Sequence, residues 1–147
     1  MVNQEKMNYD NISEMFVQNS VRKWLLKNNW KIQKIVSGSE KGVDIIAKPK
    51  YGRRFFIEAK GSNNSSSSEV AFIYSLGQII TRMNTSGTTR YYYGLALPER
   101  SAKIALRRLP PQVARKLLLH LFSVDKKGKV QLFVVKGSGK NLKWSEK

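Results

Sequence analysis

Two short apolar runs, VDIIAK at 43–48 and FFIEAK at 55–60, flank the turn-rich stretch KPKYGRR. Runs of this length and composition, bounded by glycine and proline, predict a β-hairpin. The rest of the chain supplies elements to go with it. Upstream, WKIQKIV alternates as a third strand. Before it, Val17, Val21, Trp24 and Leu25 recur at helical spacing, with Asn or Asp as caps and Asn28-Asn29 as the stop. Downstream, the spacing of Ser66 and Glu69 fits a capping box for the helix EVAFIYSLGQIITRMN. TRYYYGLALP reads as a strand closed by proline, and ERSAKIALRRL and PPQVARKLLLHL as short helices. LHLFSVDKKGKVQLFVVKG gives two strands around the DKKGK turn. The order α-β-β-β-α-β-α-α-β-β predicts one α/β domain over all 147 residues.

Charge is the strongest bulk signal. Lys plus Arg number 27 and Asp plus Glu 10, a net +17 that repels itself unless a polyanion or salt screens it. The excess is spread along the chain rather than held in a tail, so it belongs to a folded surface, and a nucleic acid is the expected partner. Composition alone also fits an RNA binder or a surface that meets anionic membranes. With no cysteine, disulfides and thiolate zinc are excluded, and the single His120 cannot build a histidine metal site, so any metal is held by oxygen. No apolar run approaches the roughly 20 residues of a membrane span and the N-terminus lacks a signal-peptide core, so the expected location is the cytoplasm.

In a chain with few acids, Asp44 and Glu58 each sit inside an apolar strand run. Side chains alternate along a strand, so Glu58 and Lys60 share one face, about 7 Å apart, while Phe55, Ile57 and Ala59 take the other. Pairing the two strands can bring Asp44 beside Glu58. Adjacent carboxylates repel unless one is protonated, a cation intervenes, or a hard divalent ion binds both through oxygen. Lys60 is one such cation. Magnesium is the better resident, since it takes one or two carboxylates and completes its shell with water and phosphate. At about 100° per residue Glu14 lies close to the apolar stripe of the first helix, an unusual place for an acid.

GVD, thirteen residues, then EAK, resembles the PD-(D/E)xK signature of restriction-endonuclease-like nucleases, with Val43 where the motif name has proline. Glu14 on the first helix and Gln78 in SLGQIITRM fall where that superfamily often carries an acid and a glutamine. SGSEKGVDIIAK and IEAKG are especially similar to archaeal Holliday-junction resolvases and to nuclease domains of modification-dependent restriction enzymes. The resemblance covers a core of about residues 10–97 and leaves 98–147 as a C-terminal extension. It implies an αβββαβ core, a mixed central β-sheet flanked by helices, and a magnesium- or manganese-dependent DNA endonuclease; symmetric cutting of two strands is met by a homodimer. Asp44, Glu58 and the Ala59 carbonyl would hold the metal, with Glu14 as an outer or second-metal ligand. Lys60 would orient or deprotonate the attacking water, or pair with the phosphate. Gln78 would reach Lys60 or water. Arg82, four residues on, would contact a phosphate, as would Lys41, Arg53 and Arg54 by the hairpin.

Two other readings stay open: a catalytically inactive DNA-binding module of the same fold, and a basic RNA-binding protein whose acids make structural cross-strand salt bridges. His120 reads as a core or edge residue, RYYYG as core rather than a base-stacking platform, and GSGK at 137–140 as a flexible tail without the spacing of a nucleotide-binding loop.

Overall fold

The computed structural model describes residues 11–37, 43–62, 68–83 and 91–147, with Lys34, Val36, Ser37, Val43 and Asp44 described by backbone alone. Among the described residues helix α1 (Glu14–Lys27) comes first, then strands β1 (Lys31–Ser37), β2 (Val43–Lys48) and β3 (Phe55–Ala59). Helix α2 (Ser68–Thr81), strand β4 (Tyr92–Pro98), and helices α3 (Glu99–Arg108) and α4 (Pro111–Leu117) follow. Strands β5 (Leu119–Val124) and β6 (Val130–Lys136), a 3-10 turn at Gly139–Asn141 and strand β7 (Lys143–Glu146) complete the chain.

The seven described strands form one mixed sheet in sequence order. β1, β2 and β3 are antiparallel, β3, β4 and β5 are parallel, and β5, β6 and β7 are antiparallel again. Antiparallel neighbours need only turns, whereas the two parallel steps need crossovers, which α2 and the α3–α4 pair provide. The molecule is thus an α/β protein with helices on both faces of a mixed sheet. No described helix is long and apolar enough to cross a membrane.

The apolar periodicities assign the faces. Val17, Val21 and Leu25 of α1 are fully buried against Ile45, Ala47, Phe55, Ile57, Ala59, Ala96 and Phe122. Each such side chain contributes about 1.5–3 kcal/mol. The opposite face packs Phe72 and Ile79 of α2, Ala102 and Ala105 of α3 and Ala114 of α4 on Tyr93, Leu95, Leu97, Leu119 and Leu121. Gly94 lets the first layer close, since a Cβ there would lie 2.9 Å from the Phe55 ring and 3.0 Å from that of Phe122. Tyr93 is buried and Tyr91 and Tyr92 half-buried, so the tyrosine run serves the core.

The structure departs from the sequence reading at two local points. The cap of α1 is Ser13, whose Oγ accepts from Phe16 N–H at 3.0 Å, and not the Asn or Asp nearby. The C-terminal segment read as a tail is ordered: the 3-10 turn leads into β7, and Trp144 Nε1–H donates to Leu109 O at 3.0 Å. Ser66 lies outside the described residues.

Candidate active site at the end of strand β3

The β2–β3 register pairs Asp44 directly with Glu58, flanked by Val43 with Ala59 and Ile45 with Ile57. Alternation then separates the two roles of β3. Phe55, Ile57 and Ala59 pack under α1, and Glu58 emerges on the face covered by α2. Its side chain is fully buried, with Oε2 2.5 Å from Arg82 Nη1.

Lys60 follows the last residue of β3 and extends its pairing, its N–H donating to Ala96 O at 3.0 Å. Its ammonium lies 2.9 Å from Glu14 Oε1 and 4.7 Å from the centre of the Tyr74 ring. Gly61 makes this meeting possible. A Cβ at 61 would fall 2.4 Å from Glu14 N and 2.5 Å from Ile12 O, closer than any side chain tolerates. Ser62 N–H donates to Ile12 O at 2.8 Å, so the strand end and the helix start are clamped together.

Helix α2 presents Tyr74 to Lys60 and ends one residue before Arg82, which meets Glu58; Gln78 lies midway in this four-residue spacing. Gln78 Oε1 is buried and makes no hydrogen bond among the described residues. A buried amide oxygen in that state is costly unless a further donor comes to it.

The structure therefore gathers Glu14, Glu58, Lys60, Gln78 and Arg82 at one end of the sheet, with the Asp44 backbone in register. Two charge pairings were not assigned from the sequence: Arg82 sits on Glu58, and Lys60 sits on Glu14. Arg53 and Arg54 are not brought here, because the β2–β3 turn is at the other end of the hairpin, about 13 Å away for four residues of strand. Arg53 lies over the Tyr92 ring, 5.7 Å from its centre, and the carbonyl of Arg54 accepts from Tyr92 N–H at 2.9 Å. Lys41 lies outside the described residues. Tyr74 was missed by sequence reasoning, though its four-residue spacing from Gln78 marks the same helix face.

The donor set is chemically suited to magnesium. Glu58, Glu14 and the Ala59 carbonyl, with Asp44 opposite Glu58 in backbone register, all supply hard oxygen. Among the described residues no three acidic or histidine side chains cluster as a metal cage. His120 lies elsewhere, half-buried edge-on to Phe55 and Tyr92, with Nδ1 3.1 Å from Leu118 O. Burial lowers its pKa from 6.5, partly offset by the backbone carbonyls beside it.

Comparison with family models, curated proteins and solved structures found no significant match to this chain.

Proposed function

We propose that this protein is a metal-dependent DNA endonuclease with a PD-(D/E)xK-type active site at the end of β3. The single observation that carries the reading is the register of Asp44 opposite Glu58. Such a pair of acidic residues, followed by a lysine and accompanied by a glutamine whose Oε1 is buried, has an economical explanation in phosphodiester hydrolysis. The element order αβββαβ through β4 and the +17 surface support it.

Asp44, Glu58 and the Ala59 carbonyl would hold magnesium or manganese, which when bound acidifies a water and offsets charge on the scissile phosphate. The chain's own residues do the rest. Arg82 neutralises Glu58 and, once a metal takes that carboxylate, would be free to pair with a phosphate oxygen. Lys60, held by Glu14 and the Tyr74 face, is positioned to orient the attacking water. Gln78 Oε1 offers an unused acceptor for that water or for the Lys60 ammonium. A two-fold dimer would serve symmetric cutting of two strands.

A second reading rests on the same ion pairs. With Glu58 held by Arg82 and Glu14 by Lys60, the acids also fit structural bridges in a nucleic-acid-binding module without turnover. Linear duplex, single-stranded, flap and four-way-junction DNA, incubated at low salt with magnesium, manganese or EDTA, separate the two. Metal-dependent cutting that Glu58→Ala abolishes while binding persists supports the nuclease, and the preferred substrate defines its subtype. Tight binding with no cutting of any substrate favours the binding module.

A further inference from the structure

A second charged feature lies on the α1 face of the sheet. The DKKGK turn between β5 and β6 packs against α1, leaving a groove of about 630 Å³ lined by Phe16, Lys23, Trp24, Lys27, Lys127 and Lys129, among others. No acid lines it among the described residues, and none of its four lysines has a carboxylate partner there. The nearest acid in sequence is turned inward: Asp125 Oδ1 accepts from the backbone N–H groups of Lys127 at 2.9 Å and Lys129 at 2.8 Å. This closes the turn and leaves the lysine side chains exposed.

The groove is preformed. Gly128 adopts a φ of +83°, and a Cβ there would lie 3.2 Å from Ser20 Oγ and 3.5 Å from Phe16, so the turn rests directly on the helix. It also sits at a telling place. β5 runs parallel to β3 and β4, so the turn leaves the sheet at the edge where β3 ends in Glu58 and Ala59. Phe16, 37% exposed, is two residues from Glu14. From Phe16 to Lys27 the helix runs about 16 Å, close to five base steps of 3.4 Å along a strand.

We infer that this groove is a phosphate track for the nucleic-acid backbone, continuing from the candidate active site along α1. The inference rests on the nucleic-acid reading above and extends it to a specific surface. Four unpaired ammonium groups lining one concavity repel one another, and a polyanion relieves that repulsion. A concave groove fits a chain of phosphates better than a planar lipid surface does. Lysines supply point charges suited to phosphate, and Phe16 and Trp24 supply apolar contact for a sugar or base.

The test measures affinity for a labelled DNA duplex and single strand between 50 and 200 mM salt, without divalent metal. It compares the wild type, K127Q/K129Q, K23Q/K27Q, and the control K140Q/K143Q, whose exposed lysines lie by β7. On the duplex, each lost phosphate contact lowers the slope of log affinity against log salt by about 0.9. Each groove pair is therefore expected to lose about 1.8 from the duplex slope, so that its affinity falls about twelvefold less than wild type across that range. The control keeps the wild-type slope. Binding with an unchanged slope in both groove variants overturns the track alone. Absence of any nucleic-acid binding by wild type overturns the underlying reading as well. Loss of binding to phosphatidylserine vesicles in the groove variants, with the DNA slope unaltered, assigns the groove to lipid instead and likewise overturns the track.

Discussion

At the scale of single residues, the fully buried Glu58 is the most demanding group in the fold. A carboxylate without access to water is tolerable only when charge and hydrogen bonds meet it, and Arg82 supplies part of both. Arg82→Met is expected to destabilise the protein by about 3 kcal/mol, the low end for breaking a buried pair because the arginine is about a quarter exposed. Denaturant unfolding of Arg82→Met, Glu58→Gln and the double variant checks this. Additive losses would show that the two groups are not coupled. His120 makes a pH prediction. Its folded pKa lies below 6.5 because burial disfavours the imidazolium, so the unfolded chain binds its proton first as pH falls. Stability is therefore lost as pH drops below 6.5 toward the folded value and is fully present above it. In His120→Gln, the fall in melting temperature between pH 7.5 and 5 should be smaller than in wild type. An identical fall would remove the histidine from the account.

At the scale of elements, the site depends on how the start of α1 meets the end of β3. Gly61→Ala places a methyl carbon within 2.4 Å of the Glu14 backbone nitrogen, so helix and strand must part, at a cost of about 2–3 kcal/mol. Ser13→Ala removes the helix cap and costs about 1 kcal/mol without forcing that separation. Thermal unfolding ranks them, and a Gly61→Ala protein as stable as wild type would show that the clamp is dispensable. Much of this arrangement was legible beforehand. The hairpin followed from two apolar runs around KPKYGRR, and α1 from the spacing of Val17, Val21 and Leu25, because burial periodicity is a local signal. The β7 strand was not, since KWSE carries one apolar residue and its order comes from Trp144 reaching Leu109, 35 positions away. The identity of charge partners was hidden for a similar reason. Alternation placed Glu58 and Lys60 on one side of β3, but only the packing of α1 and α2 decides that Lys60 meets Glu14 and Arg82 meets Glu58.

At the scale of the whole molecule, a net charge of +17 on one α/β unit makes the folded state salt-sensitive. Raising salt from 20 to 300 mM should increase the melting temperature, as should a short polyanionic oligonucleotide at low salt. A melting temperature indifferent to both would mean that the charges are spaced too widely to interact. The charge surplus was plain in the sequence. Its concentration beside the DKKGK turn required the fold, which brings Lys127 and Lys129 to Lys23 and Lys27, a hundred residues apart. The central claim is that Asp44 and Glu58 act together on a phosphodiester through a shared metal. Single-turnover cleavage of labelled DNA by wild type, Asp44→Asn, Glu58→Gln and the double variant, with magnesium and with EDTA, tests it most directly. Residues that act as a unit are strongly non-additive. Each single variant should lose nearly all metal-dependent cleavage and the double should be no slower than either, while DNA binding in EDTA stays near wild type. Cleavage that survives in either single variant, or proceeds in EDTA, would contradict the account.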